Sequence, residues 1–433
     1  MRREENKCQS SHQSDKNRYL LDQSIGDLFR TYGEDYIRIY KPPFHHIKLI
    51  RSIRVCRTPA LGGKRITCLA CLHSKHIYLS CGNSQCPLCQ NRKRELWQQN
   101  ISDKLLDVPY VHTIFTIPHA LNKLAKLNER EIYNTTMRAA WKTIKDLTAQ
   151  TQNLGGLPGM VAVLHTFGSD MKHHIHCHAL ITFGGMGEDG KWHWPKHRKK
   201  LAPYRKICST YRNTFLKLLD KDLRQKKIIP VPNMEQLIQE VKNKRWNVRN
   251  EYPTANTDIL ERYLARYINR IAISKSRLQF IAGQQQLNDS VIIEYKDYKK
   301  QIKGQPAPKT TKRLNPLVAI NQFLLHTLPP YFQKSRYYGL HAAATYKRIK
   351  NKIPDNLIRN NNTVRIICAI IKHLAGIKPH SCEYCQGHKF VTSPLNADQQ
   401  WIFRFITIPS YSCLLYTSPS PRDATLSRMP SSA

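Results

Sequence analysis

The sequence predicts an α+β fold with a small cysteine-rich module in front of it and a basic helical region behind it. Two CxxC pairs, Cys68 with Cys71 and Cys86 with Cys89, lie in a stretch that has few long apolar runs. Behind them, short β-branched runs alternate with longer stretches of helical periodicity. With 433 residues, of which 41% are hydrophobic, the chain can form two or three modest cores.

The order of the elements follows from periodicity and from turn residues. Helices are predicted over residues 25–40, 129–149, 201–223, 234–244, 259–270, 317–328 and 364–374. Strands are predicted over residues 111–118, 160–167, 174–183, 276–282 and 290–295. The Lys/Thr/Pro-rich residues 306–316 are expected to form a connector.

The charge balance indicates a polyanionic partner. Lys and Arg number 69 against 30 Asp and Glu, which gives a formal net charge of +39. These basic residues are spread from Arg2 to Arg404, which favours a folded surface that meets many phosphates over a single charged tail. Since the chain has no apolar run of about 18 residues and no secretion signal, we expect a cytoplasmic protein without membrane contact.

The two CxxC pairs predict a zinc site. Cytosolic thiols stay reduced, so the 13 cysteines indicate metal ligands rather than disulfides. Cys68, Cys71, Cys86 and Cys89 have a spacing at which two tight turns can place four thiolates around one zinc ion. Such a shell leaves no position for water or substrate, so this zinc would be structural. The alternative is a chance pairing of buried thiols.

Further cysteines leave the ligand set open. Cys56 and Cys81 are additional candidates, and Cys81 can replace one of the four thiols or help to hold a second ion. A later pair, Cys382 and Cys385, is flanked by histidines and can form a separate site. One such pair supplies only two thiolates, which is too few to complete a zinc site alone.

A histidine-rich segment predicts a second kind of metal site. His174, His176 and His178 alternate with apolar residues, so on a strand the three imidazoles share one face. Neutral nitrogen ligands on a rigid surface suit a divalent ion whose remaining positions go to water or phosphate oxygens. The alternative is a solvent-facing polar stripe on an amphipathic strand.

Two tyrosines predict a nucleophile. Tyr263 and Tyr267 are four positions apart, so both project from one face of a helix, where Arg262, Arg266 and Arg270 repeat at the same interval. A phenol has a pKa near 10 and attacks poorly unless a cation favours its oxyanion, which guanidinium groups or a bound metal would do. By itself, such a tyrosine pair more often serves packing.

These three elements, in this order, resemble the rolling-circle transposases of insertion-sequence family 91. That family carries a zinc-binding region, a histidine–hydrophobic–histidine (HUH) strand and a tyrosine-bearing helix, and the likeness extends over roughly residues 25–350. The family motif aligns with His176-Cys177-His178, which implies that His174 is an accessory ligand or a neighbour. Gln85 departs from the pattern, because many relatives have histidine there.

The resemblance implies an antiparallel HUH-type sheet with flanking helices and a division of the chain into segments. Residues 1–20 are expected to be a disordered leader, 21–97 a zinc-binding domain, 105–300 the catalytic domain and 301–412 a basic C-terminal region. Residues 413–433 permit a back-translation that resembles a sequencing-library adapter, so we expect a non-native tail there.

The resemblance also implies a mechanism. Mg²⁺ or Mn²⁺ at His176 and His178 would polarise the scissile phosphate of single-stranded DNA while Tyr263 or Tyr267 attacks, giving a 5′-phosphotyrosine and a free 3′-hydroxyl. Tyr337 and Tyr338 are candidates for stacking on bases at transposon ends. The alternatives are a replication initiator or relaxase of the HUH class and a non-catalytic zinc-containing nucleic-acid-binding protein.

Overall fold

A computed structural model describes the chain in seven stretches, residues 24–89, 105–255, 272–273, 277–281, 289–302, 305–358 and 381–397. Several predicted features lie outside these described residues. They are the leader, the helix expected at 259–270, which carries Tyr263 and Tyr267, the helix expected at 364–374, and the adapter-like tail.

The described helices and strands alternate along the chain. The helices are α1 (Ile25–Tyr40), α2 (Phe44–Val55), α3 (Asn122–Leu127), α4 (Glu129–Thr148), α5 (Tyr204–Arg224), α6 (Met234–Asn243), α7 (Pro316–Leu324) and α8 (Ala343–Ile349). The strands are β1 (Gly63–Cys68), β2 (Ser74–Tyr78), β3 (Tyr110–Thr116), β4 (Gly159–Phe167), β5 (His173–Thr182), β6 (Gly185–Met186), β7 (Trp192–His193), β8 (Val248–Asn250), β9 (Leu278–Ile281), β10 (Ser290–Lys296), β11 (Lys309–Leu314), β12 (Ser335–Gly339) and β13 (Phe390–Leu395).

The central sheet is antiparallel and has the strand order β12-β4-β5-β3-β8. One of its faces carries apolar side chains such as Ile175 and Cys177, which pack against α4 and α5 in the largest core. Because side chains alternate along β5, His176 and His178 lie on the opposite face. The sheet therefore separates a packed side from a side that carries the histidines.

A second core joins the N-terminal helices to a smaller sheet. Helices α1 and α2 pack with α7 and with the antiparallel sheet β11-β10-β9. The Tyr32 hydroxyl donates to Asp289 at 2.7 Å, and the Tyr36 hydroxyl donates to Asn321 at 2.9 Å. At the α1–α2 crossing, a Cβ on Gly33 would lie 2.8 Å from a methyl group of Ile50. The close approach of the two helices therefore needs glycine.

Helix α1 begins and ends where its sequence predicts. Ser24 and Asp27 form a capping box, in which the Ser24 backbone N–H donates to the Asp27 carboxylate at 3.1 Å. The helix stops at Lys41 in a left-handed conformation, immediately before Pro42 and Pro43. Its buried face, with Leu28 and others, then meets the second core.

Three predictions about the elements were wrong or incomplete. The expected connector contains β11, because Lys and Thr side chains that alternate between half-buried and exposed positions pair with β10 despite the polar composition. The catalytic domain was expected to span residues 105–300, but strand β12, which lies beyond residue 300, completes the central sheet by pairing with β4. Strand β13 pairs with β1, so residues 390–395 belong to the N-terminal cysteine-rich module.

The predicted α+β class with antiparallel sheets and flanking helices is confirmed. Among the described helices, none combines the length and apolar character that a membrane span requires.

Candidate metal centres

Three histidines from two paired strands form a group that can hold a metal ion. His165 on β4 and His176 and His178 on β5 place one ring nitrogen each within 4.8 Å of the others. His165 lies directly opposite His176 in the β4–β5 register, so all three rings share one face of the sheet. All three side chains are largely buried. Three neutral nitrogen donors leave positions of a divalent ion open to other ligands.

A backbone contact sets the protonation of His176. Its Nδ1 lies 2.8 Å from the carbonyl oxygen of His174, and a carbonyl can only accept a hydrogen bond. Nδ1 of His176 therefore carries the proton, and the lone pair of the neutral ring is on Nε2. This contact orients the candidate ligand in the way that outer partners usually orient metal-bound histidines.

A relay of side chains sets the protonation of His178. Glu251 Oε2 lies 3.1 Å from His112 Nδ1, and His112 Nε2 lies 3.0 Å from His178 Nδ1. The carboxylate accepts from Nδ1 of His112, and in the tautomer with its one proton on Nδ1 the His112 ring accepts at Nε2 from Nδ1 of His178. The hydrogen bond from His112 lowers the pKa of Glu251, which keeps this carboxylate charged. Nε2 of His178 then carries the lone pair that a metal needs.

His174 lies outside this group. Its ring is 5.2 Å from that of His119, and burial, followed by the charge of His119, lowers the pKa of His174. Its backbone carbonyl accepts from His176 Nδ1, and its ring centroid lies 5.0 Å from that of His176. His174 thus lies next to the candidate metal ligands but outside the group that can hold an ion, and a neighbour is one of the two roles that the resemblance allowed.

His165 was absent from the sequence-based ligand set. It is a single histidine in the apolar run MVAVLHTF, where a lone imidazole has no periodic partner. Only the pairing of β4 with β5 brings it opposite His176. The same holds for His112 and Glu251, which reach the site from β3 and from the residue after β8.

Four thiols form one cluster in the N-terminal module. They belong to Cys56, Cys81, Cys86 and Cys89, with the Cys89 sulfur 3.5 Å from Cys56 and 3.6 Å from Cys81. Zinc–sulfur bonds of about 2.3 Å place the sulfurs of a tetrahedral shell about 3.8 Å apart, so the group fits zinc. Hydrogen bonds from Cys56 and then Cys86 lower the pKa of Cys81, which favours the thiolate form that zinc binds.

Four other thiols form a second cluster. Cys68 and Cys71 meet Cys382 and Cys385, with sulfur–sulfur distances of 3.6 Å for Cys68 to Cys385 and 3.5 Å for Cys71 to Cys382. Backbone N–H groups of Cys71 and Ala70 donate to the Cys68 sulfur and lower the pKa of its thiol. Donation from the Cys385 and Tyr384 backbone lowers the pKa of Cys382 to about 7.

The expectation that Cys68, Cys71, Cys86 and Cys89 share one ion was therefore wrong in its grouping. Cys68 and Cys71 lie at the turn of the β1–β2 hairpin, whereas the first cluster lies beyond its open end, next to the start of β1 and the end of β2. A strand of six residues spans about 20 Å, which is much farther than two ligands of one ion can be apart. The hairpin thus separates the two pairs.

Gln85, where family members often have histidine, holds a loop rather than a metal. Its side-chain oxygen accepts from the Leu328 backbone N–H at 2.9 Å, and its amide nitrogen donates to the Leu328 carbonyl at 3.2 Å. This double contact fixes the loop before Cys86 against the segment that follows α7.

The aromatic residues expected to stack on bases serve packing. The Tyr338 ring stacks on Trp141 with centroids 5.5 Å apart, and Tyr337 packs partly buried against the third core. An exposed ring occurs instead at Trp194, which follows the β6–β7 hairpin and is 51% exposed. Exposed basic side chains continue over residues 196–200.

The described residues that flank the segment with Tyr263 and Tyr267 belong to the central sheet on one side and to the second core on the other. Thr254 exchanges backbone hydrogen bonds with Tyr110 on β3, and Glu251, just before it, belongs to the relay behind His178. On the other side, Ile273 is fully buried among α1, α2 and the smaller sheet.

Comparisons with known proteins identify the chain's family. Residues 28–117 match the family described as "Transposase zinc-binding domain", and residues 159–349 match the family described as "Putative transposase". The chain is 30% identical over 325 residues to "Putative transposase y4qJ" of Sinorhizobium fredii, a match that covers 73% of this chain and 79% of that protein.

A second relative extends the match. The chain is 25% identical over 362 residues to "Transposase for insertion sequence element IS801" of Pseudomonas savastanoi pv. phaseolicola, with 81% of this chain and 84% of that protein covered. No solved structure gives a significant match. The two family matches and the 30% identity over most of both chains show that the chain belongs to the insertion-sequence family 91 transposases with an N-terminal zinc-binding domain.

Proposed function

We propose that this transposase cleaves and rejoins single-stranded DNA at insertion-sequence ends through a covalent tyrosine intermediate. The observation that carries the proposal is the group of His165, His176 and His178, in which separate hydrogen bonds direct the lone pairs of His176 and His178 away from their outer partners. Buried histidines that only fill space do not need hydrogen bonds that fix the tautomers of two neighbouring rings.

The histidine group suits Mg²⁺ or Mn²⁺. A divalent ion bound there would polarise a non-bridging oxygen of the scissile phosphate and stabilise the charge that develops on it. The residues' own contribution is to present three nitrogens from a rigid sheet, with Glu251 and His112 holding the tautomer of His178.

Tyr263 and Tyr267 are the proposed nucleophiles. In this step a phenolate oxygen attacks phosphorus, the bond from phosphorus to the 3′ oxygen breaks, and the leaving oxygen takes a proton to become a 3′-hydroxyl. The 5′ end stays on the protein as a phosphotyrosine, so the bond energy is kept for rejoining. Attack by the 3′-hydroxyl of an acceptor strand forms a new phosphodiester bond and releases the first tyrosine. The second tyrosine can attack the acceptor strand in the same way or resolve the intermediate.

Basic charge and exposed aromatic groups supply the proposed DNA contacts. The formal net charge of +39 favours phosphates, and Trp194 with the basic residues 196–200 combines a stacking surface with cations. The Cys56 cluster would hold structural zinc, since four thiolates leave no open position. The relative named for an insertion sequence element favours transposon ends as the target over plasmid origins.

The test incubates the purified protein with single-stranded oligonucleotides of an element end and Mn²⁺, followed by a denaturing gel. We expect a protein–DNA adduct that requires the metal, single-stranded substrate and the end sequence, and that His176→Ala abolishes. Equal reaction on origin-like DNA would favour the replication initiator or relaxase. Tight DNA binding without an adduct under any of these conditions would leave a non-catalytic zinc-containing binder.

A further inference from the structure

The turns that carry Cys68–Cys71 and Cys382–Cys385 have the same backbone structure. In each turn the N–H of the residue after the second cysteine donates to the carbonyl of the first at 2.9 Å, from Leu72 to Cys68 and from Gln386 to Cys382. Both of these residues have a left-handed conformation, with φ of 58° and 59°. The first cysteine of each turn also donates its N–H to the carbonyl five positions later, at 2.9 and 2.8 Å.

Such matched turns direct their sulfurs to one point. In each turn, backbone N–H groups donate to the sulfur of the first cysteine, from Ala70 and Cys71 to Cys68 and from Tyr384 and Cys385 to Cys382. Two such turns supply the tetrahedral four-thiolate shell that zinc takes in structural sites. The two turns are thus related as the halves of a zinc ribbon.

The strands complete that arrangement. Strand β13, just after the second turn, pairs with β1 in register from Gly63 opposite Leu395 to Cys68 opposite Phe390. Side chains join the turns as well, because Lys75 contacts Glu383 at 2.8 Å and the His73 ring lies 3.9 Å from the Tyr384 ring. The C-terminal segment therefore fits the hairpin along its whole length.

The sulfur distances favour a metal over disulfides. The two measured separations, 3.5 and 3.6 Å, are close to the edge of about 3.8 Å in a zinc–thiolate tetrahedron. A disulfide would need about 2.05 Å. A Cβ on Gly387 would lie 3.3 Å from the Cys385 sulfur and 3.5 Å from the Cys68 sulfur, so glycine keeps the backbone close to the cluster.

We propose that Cys68, Cys71, Cys382 and Cys385 bind a second structural zinc ion, which closes a zinc ribbon from two parts of the chain that are 311 positions apart. This site differs from the Cys56 cluster, and the Cys382 pair lies outside both family matches, which end at residues 117 and 349. Zinc binding there couples folding of the C-terminal segment to the N-terminal module, because neither half has enough ligands alone. The proposal does not depend on the tyrosine chemistry.

The test counts zinc in the full-length protein by mass spectrometry of the metal. All variants carry His176→Ala, so that the histidine group does not add to the count. We expect two ions per chain in this parent, one in Cys382→Ser/Cys385→Ser and one in Cys56→Ser/Cys86→Ser. Cys208→Ala, which removes a buried thiol of α5 outside both clusters, keeps two.

A ligand-swap variant separates metal loss from misfolding. Cys385→His replaces an exposed thiol by another zinc ligand and keeps the second ion, whereas Cys385→Ser lowers its occupancy. Cobalt titration of the parent should give tetrahedral thiolate absorption up to two equivalents. The proposal would be overturned by any of three results. These are one zinc in the parent, two zinc ions in the Cys382→Ser/Cys385→Ser variant, or oxidised thiols in place of the second ion.

Discussion

Individual hydrogen bonds decide which nitrogens of the histidine group can bind a metal. His176 is held by a backbone carbonyl and His178 by a side-chain relay, so the two ligands depend on different kinds of partner. Substitution of a side chain can break the second contact but leaves the first in place. His176 and His178 therefore respond differently to substitution of their neighbours, although the two histidines look equivalent in the sequence.

The contrast between His165 and His174 tests the ligand assignment. His165→Ala removes a proposed metal ligand, and we expect single-strand nicking to fall about 100-fold or more. His174→Ala keeps the carbonyl that bonds to His176, so nicking should change little. Initial nicking rates at a fixed Mn²⁺ concentration compare the two. A larger loss from His174→Ala than from His165→Ala would reverse the assignment.

The carboxylate of Glu251 acts through His112 on His178. Glu251→Ala removes the acceptor that fixes the relay, so we expect Mn²⁺ affinity to fall about 10- to 100-fold, the usual cost of losing an outer partner. Calorimetric titration of Mn²⁺ measures it. Glu235→Ala, which removes an exposed carboxylate on α6, serves as the control, and Glu251→Gln, which can still accept from His112, should fall in between. Unchanged affinity in Glu251→Ala would remove Glu251 from the site.

At the scale of elements, strand length and hairpin position distribute the functional groups. The β1–β2 hairpin keeps the two thiol clusters apart, and the β4–β5 pairing brings His165 to His176. The β6–β7 hairpin presents Trp194 and the basic residues after it on the surface. Each of these elements can be tested separately.

Trp194 tests the proposed single-strand contact. Stacking of one base on an aromatic ring contributes about 1–3 kcal/mol, so Trp194→Ala should weaken oligonucleotide binding by about 5- to 150-fold. Fluorescence anisotropy with single-stranded and duplex oligonucleotides gives both affinities, and only the first should change. Trp194→Phe keeps a ring and should retain most of the affinity. Equal binding by Trp194→Ala would place the contact elsewhere.

The connection between α7 and the β4–β5 turn predicts a pH dependence of stability. His326 donates from Nε2 to the Met171 carbonyl at 2.9 Å, and burial lowers the pKa of His326 to about 4. The unfolded residue binds a proton below about pH 6.5, whereas the folded residue resists it, so its contribution is full above that pH and is lost as pH falls towards 4. The loss at pH 5 is about 2 kcal/mol.

Unfolding measured at pH 7 and pH 5 checks this sign. The His326→Gln variant can still donate to Met171 but does not titrate, so it should lose less stability than the parent between the two pH values. A parent and variant with equal losses would show that other groups, such as His173, account for the whole dependence.

At the scale of the whole molecule, the sequence predicted what is local and missed what depends on distant pairing. Periodicity placed the strands at 160–167 and 174–183 within one residue, because their side chains alternate or are continuously apolar. It did not identify His165 as a ligand, since strand pairing decides that position. The CxxC spacing indicated zinc, but a strand from residues 390–395 determines which thiols meet.

The proposed function of the whole molecule centres on one reaction, the transfer of a DNA 5′ end to Tyr263 or Tyr267. The most direct measurement is peptide mapping of the protein–DNA adduct by mass spectrometry, after nuclease digestion leaves a nucleotide on the attacked residue. The account predicts a nucleotide-bearing peptide that contains Tyr263 or Tyr267, and no adduct from Tyr263→Phe/Tyr267→Phe with unchanged DNA binding. A nucleotide on any other residue, or full adduct formation by the double variant, would contradict it.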